Sequence, residues 1–324
     1  MSMTKRPTKP FFPFAPLKGS KYKGLYWLAA IFFGSILIAM AVTPLIYDFV
    51  QNWHASSPNQ LNTYLSKKGI HIYFNRVRLA AVIALLPWML YSCGLFQWSA
   101  IGLNFTQQGF NRAFRWFFIG ASLIFFMAAF RFIYASGFSL PVIADTLYEK
   151  IRLIKHLSLP LIFISAIAVG VLEEVLFRAI IFRFFYQALT PIIAIVLSSC
   201  FFAYAHFKIH ASPDAGVYTI ALNNIFGIGK SFNLIEFINL ALLGAFHSLL
   251  LIRTGSLMPC IGFHAGTVFI MLFTRKYFAI TDTAVPAFLG TTKLIDGVLP
   301  LIVLALLVSA LYFDCFHRKY AQVR

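Results

Sequence analysis

Gly170-Val171-Leu172-Glu173-Glu174-Val175-Leu176-Phe177-Arg178 is the stretch that decides how this sequence folds. It lies inside an otherwise apolar run over 157–185, and it holds two of the only ten acidic residues among 324. A carboxylate at membrane depth costs about 2.5–3.5 kcal/mol even on insertion scales, so it persists only with a partner or a task. An apolar run of this length that still carries Glu173, Glu174 and Arg178 reads as an interior helix of a membrane bundle.

The rest of the composition agrees. Hydrophobic residues make up 60% of the chain and charged residues only 11%. That balance excludes a soluble globular domain and fits a polytopic membrane protein. The net charge of +17 does not indicate a nucleic-acid partner. Its Lys and Arg flank apolar segments, where they anchor helix ends and meet anionic head groups of the lipid bilayer. Cys93, Cys200, Cys260 and Cys315 all lie in apolar runs without CxxC spacing and read as core thiols.

Eight apolar runs follow a Pro-rich basic tail over 1–23, at 24–47, 77–97, 113–135, 157–185, 190–207, 234–252, 256–274 and 298–316. Each is read as crossing the bilayer, with the fifth near the short limit. The expected fold is therefore all-α, a polytopic membrane helix bundle of about eight transmembrane helices. The first run is too long for the apolar core of a signal peptide and is expected to stay as a span. An even number of crossings puts both termini on one side, and the basic tail argues for the cytoplasm.

Between the runs, 48–76 reads as a polar loop. The stretch 137–156 places Ile143, Leu147, Ile151 and Ile154 at helical spacing, with Asp145, Glu149, Lys150 and Arg152 between them, as in an amphipathic helix lying in the interface. The segments 208–233 and 275–297 read as loops. No internal repeat supports an inverted-repeat transporter. The organisation expected is a tail (1–23), accessory helices with the interface helix (24–156), a core (157–275), and a closing loop, last helix and basic tail (276–324).

On an α-helix Glu174 and Arg178 share a face and can neutralise one another, while Glu173 points elsewhere. Two readings follow. Either all three form one structural ion cluster, or Glu174 and Arg178 are the structural pair and Glu173 is left for proton transfer. In an antiparallel hairpin turning near Gln187–Thr190, His206 comes to nearly the same depth as Glu173. Phe202 shares its face. His210 completes an HxxxH spacing that can bind a metal, but Ser212-Pro213-Asp214 follows at once. A second hairpin turns at Arg253-Thr254-Gly255-Ser256. His247 lies before that turn and His264 after it, with Gly262, Ala265 and Gly266 leaving room for close helix approach or a substrate. Glu173 with His206 can deprotonate a water. His264 can steady an oxyanion or, with His206, hold a metal such as zinc. No serine elbow, HExxH or phosphate-cradling Gly loop competes.

EExxxR in one span, FxxxH closing the next, and Arg-Thr-Gly-Ser leading to a further His resemble the motifs of the CPBP (ABI) family of intramembrane proteases, which includes the type II CAAX prenyl endopeptidases. The resemblance covers about 157–275. It implies that Glu173 activates water, that Glu174 and Arg178 complete its motif, and that His206 and His264 are the histidines of the second and third motifs. It also implies a multi-pass protein of a bacterial cytoplasmic membrane. Its substrate would be a membrane-anchored or membrane-spanning protein, lipid-modified or not. The family's third motif reads HxxxN or HxxxD, whereas this chain has Val268, which donates no hydrogen bond. Thr267 is the nearest substitute, on another face. The resemblance thus leaves room for a weakened relative that acts as a binding, immunity or chaperone-like protein. A transporter using the same charges as a proton relay is a further alternative.

Overall fold

The computed structural model describes residues 17–135, 158–207, 215–226, 232–277, 287–291 and 293–316. Among them there are helices and turns only. In chain order the helices are α1 (Lys23–Ser56), α2 (Gln60–Ser66), α3 (Ile70–Cys93), α4 (Gln107–Ala135), α5, α6 (Pro191–Ala205), α7 (Val217–Phe226), α8 (Leu234–Thr254), α9 (Met258–Tyr277) and α10 (Val298–Phe316). Helix α5 is composite: α-helical over Ser158–Glu174, a wider π-helix over Val175–Phe182, and α-helical again over Arg183–Ala188. Among the described residues, seven helices are long and apolar enough to cross a membrane, namely α1, α3, α4, α5, α8, α9 and α10. The protein is a multi-pass integral membrane protein.

Three expectations change. The run at 190–207 forms a 15-residue helix, α6, about 22 Å long, which falls short of a roughly 30 Å hydrocarbon layer. The polar loop expected at 48–76 is mostly helix. Helix α1 continues to Ser56, and Asn59 starts α2 with a reciprocal cap in which Asn62 N–H bonds Asn59 Oδ1 at 2.9 Å and Asn59 N–H bonds Asn62 Oδ1 at 2.8 Å. Asn is a strong N-cap residue, so this polar stretch encodes a helix start. The segment 208–233 likewise contains α7. The interface helix expected at 137–156 and His210 lie outside the described residues.

The chain forms two compact units. One comprises Leu17–Phe96 and Ala205–Phe232. In it the start of α1 is tied to the end of α3, since Lys23 Nζ donates to the Ser92 carbonyl at 2.6 Å and Lys18 N–H to the Cys93 carbonyl at 3.2 Å. Ile36, Ala39, Phe74, Ile220 and Ala221 form its core.

The other unit is built from the described parts of Gln97–Tyr204 and Asn233–Arg324. Its centre is α9, whose residues from Met258 to Thr267 are all buried. Glycines make this possible. A Cβ on Gly262 would come within 2.0 Å of the Ala113 carbonyl oxygen, and one on Gly266 within 2.0 Å of that of Phe117. This small-xxx-small face therefore seats α9 against the backbone of α4. From α5, Gly170 approaches α9 in the same way, where a Cβ would lie 3.1 Å from the Ala265 nitrogen. His264 is two residues from each of Gly262 and Gly266, and so projects from the opposite side of α9.

Candidate functional site

The α8–α9 turn sets the depth of the site. Gly255 caps α8 at φ 66°, a conformation that suits glycine, and its N–H bonds the Leu251 carbonyl at 2.9 Å. Ser256 Oγ accepts from Met258 N–H at 3.3 Å and starts α9. The Leu257 N–H bonds the Gly102 carbonyl at 3.1 Å, and Arg183 Nη1 donates to the carbonyl of Ala100, so the loop after Phe96 is fastened over this end. His264 comes six residues into α9, about 9 Å from its first residue.

There, helices α5, α8 and α9 bring two carboxylates, one guanidinium and two imidazoles together. Glu174 and Arg178 are fully buried, with Arg178 Nε 3.4 Å from Glu174 Oε2. His264 Nδ1 lies 2.8 Å from Glu174 Oε1, and its Nε2 lies 3.6 Å from Glu173 Oε2. His247, fully buried, places Nδ1 3.3 Å from Glu174 Oε1 and 3.4 Å from Arg178 Nη2. Its ring stacks on that of His264 at 5.4 Å and 9°.

Aromatic rings wall the cluster. Arg178 sits over the Phe202 ring at 4.6 Å, and Phe202 meets His264 edge-on at 6.2 Å. Glu173 differs from its neighbour in keeping 29% of its side chain exposed. One imidazole thus stands between two carboxylates, one fully buried and one partly exposed. With Nδ1–H donating to Glu174, its Nε2 side faces Glu173 and whatever enters from there.

The residues read from the sequence are placed as follows. Glu173, Glu174, Arg178 and His264 are brought together. Phe202 enters from α6. His206 follows the last residue of α6, is exposed, and falls in the unit that contains Leu17–Phe96. Val268 is half-buried. Thr267 commits its hydroxyl to the His264 carbonyl at 2.7 Å, which removes it as a substitute donor. The four cysteines are free thiols. His247 joins the cluster from α8, before the turn. The π-helical segment begins directly after Glu174, and such segments gather at functional sites. In it Phe177 to Phe182 are all buried, which carries Arg178 into the interior.

Zinc is tested by the donors that come together. Glu174, His247 and His264 offer ligand atoms within 4.8 Å of one another, and two histidines with one glutamate are a catalytic zinc set by type. Their arrangement is not that of a zinc site. The 2.8 Å between His264 Nδ1 and Glu174 Oε1 is a hydrogen bond, whereas two ligands of one tetrahedral zinc stand about 3.3 Å apart. The Arg178 guanidinium, beside both Glu174 and His247, already supplies the cation. In this arrangement Glu174, His247 and His264 do not fit zinc.

Residues 155–270 match the family model described as type II CAAX prenyl endopeptidase Rce1-like. The match takes in the stretches with Glu173, His206 and His264 and supports the relationship of this segment to the CPBP family. No curated protein and no solved structure matches the chain.

Proposed function

We propose that the protein is an intramembrane endopeptidase that hydrolyses a peptide bond of a membrane-anchored or membrane-spanning protein. The observation that carries this is the placing of His264 between fully buried Glu174 and partly exposed Glu173. In the reaction, Glu173 takes a proton from a water beside His264 Nε2, and the resulting hydroxide attacks the scissile carbonyl. His264 in its imidazolium form, with Glu174 as counter-ion, donates Nε2–H to the oxyanion. Glu173 then returns its proton to the leaving amine. The family relationship makes His206 the histidine of the second motif and a further candidate for the reaction. A site about 9 Å below the α8–α9 turn suits cleavage near the membrane surface, where a lipid-modified or juxtamembrane segment presents itself. The basic tail at 1–23 supports cytoplasmic termini in a bacterial cytoplasmic membrane.

Cleavage of a panel of membrane peptides by the purified protein tests the reading. Glu173→Gln is expected to lower kcat by about 10²–10⁴ without moving the unfolding midpoint. Chelators are expected to leave the wild-type rate unchanged. A Gln variant as active as wild type would falsify the mechanism.

Val268 motivates a second reading, a weakened relative that binds rather than cleaves. If the missing donor limits the rate, Val268→Asn raises kcat, by up to about 10²-fold. An unchanged rate together with a co-purifying membrane protein favours the binding reading.

A further inference from the structure

We infer that His247 is a positioning residue that holds the Glu174–Arg178 pair open so that Glu174 Oε1 stays on His264. It rests on the reading of Glu173 and His264 as the hydrolytic pair.

The pair itself shows the need. Arginine and carboxylate left to themselves close into two parallel bonds of about 2.7–2.9 Å. Here the closest approach between Arg178 Nε and Glu174 Oε2 is 3.4 Å, and neither atom has a hydrogen bond although both are buried. What stands in the way is His247. Its Nδ1 accepts from Arg178 Nη2 at 3.4 Å and so occupies the arm of the guanidinium that would otherwise swing onto the carboxylate. Glu174 Oε1 makes its shortest contact with His264 Nδ1, at 2.8 Å, with His247 Nδ1 farther off at 3.3 Å. The stacked His247 ring holds the plane of His264 from the other side.

His247 is itself poorly provided for. With Nδ1 accepting from Arg178, Nε2 carries the proton, and Nε2 is buried without a hydrogen-bond partner. A residue chosen for stability would not leave a buried donor unmade. Its backbone is pinned from α9, where Cys260 Sγ donates to the His247 carbonyl at 3.4 Å, so the ring is held in place without that bond.

The experiment uses the full chain in detergent or nanodiscs, with cleavage kinetics, unfolding midpoint and the ring-nitrogen NMR of ¹⁵N-histidine, His264 being assigned by difference. His247→Phe keeps the stacked ring and removes the acceptor. It is expected to lower kcat about 10- to 100-fold with KM unchanged, to keep or raise the unfolding midpoint, and to abolish the downfield Nδ1 proton of His264. His247→Asn, whose Oδ1 replaces Nδ1 as acceptor, is expected to recover most of the rate and the signal. If His247→Phe instead lowers the midpoint and leaves both the rate per folded molecule and the Nδ1 signal unchanged, His247 is structural and the inference falls. If the wild type cleaves nothing, the NMR decides alone. Loss of the signal in His247→Phe then upholds the positioning role while the peptidase reading fails, and its retention overturns the role.

Discussion

At its N-terminal end α8 is held by groups that satisfy one another. Asn233 Oδ1 accepts from the N–H groups of Ile235 and Glu236 at 2.9 and 3.2 Å, Lys293 Nζ reaches both oxygens of Glu236 at 2.8 and 2.7 Å, and Asn239 Nδ2 donates to the carbonyls of Ile295 and Gly297 at 2.7 and 2.9 Å. Asp296 accepts from both N–H and hydroxyl of Thr291, and Arg131 Nε donates to the Gly290 carbonyl at 3.2 Å. Eleven residues along, about 16 Å deeper on the same helix, His247 sits in a cluster of the opposite kind. There the 2.8 Å bond of His264 to Glu174 stands beside contacts of 3.3, 3.4 and 3.6 Å, and Glu174 Oε2, Arg178 Nε and Nη1 and His247 Nε2 are buried without hydrogen bonds. In the first cluster Asn239 Oδ1 is the buried atom left in that state. A polar network that serves the fold uses its hydrogen bonds up, whereas one that serves a reaction keeps some in reserve at a cost in stability.

The largest effect that tests this contrast is expected at Arg178. Arg178→Ala leaves Glu174 as a buried, unpaired carboxylate, which costs about 3–5 kcal/mol. For a chain of this size that lowers the unfolding midpoint on the order of 10 °C. Replacing both partners, by Arg178→Met with Glu174→Gln, is expected to restore most of the midpoint while cleavage stays lost. A double variant as unstable as Arg178→Ala would show that the pair is held for the fold, and the two clusters would then be alike.

Much of this was legible in the sequence, because apolar length and helical spacing are local. The runs at 234–252, 256–274 and 298–316 lie within three residues at either end of α8, α9 and α10. Contact between Glu174 and Arg178 follows from their spacing, and the close approach at Gly262 and Gly266 from the small residues. The partner on that face, α4, did not, since nothing in the glycines says which helix they admit. The π-helix had no sequence signal either. His247 did have one: it stands eight residues before Gly255 and His264 nine after it. The hairpin counting that sets Glu173 level with His206 also sets these two histidines level. Asn59 and Asn62 were visible as well, as polar residues, but a capping box depends on geometry that composition does not carry.

The smallest effect is expected at the other end of α8, and it sharpens the contrast from that side. Lys293 is 49% exposed and the Glu236 side chain 11%, so solvent screens their ion pair from the lysine side. Exposed pairs are worth about 0–1 kcal/mol. Lys293→Ala is therefore expected to lower the midpoint by no more than about 4 °C, to lose even that at high salt, and to leave kcat unchanged. The Asn239 bonds to two carbonyls would still hold the loop to α8. A fall in kcat on Lys293→Ala at an unchanged midpoint would mean that the closed network is coupled to the open one through the body of α8, and the division of labour between the ends of this helix would have to be given up.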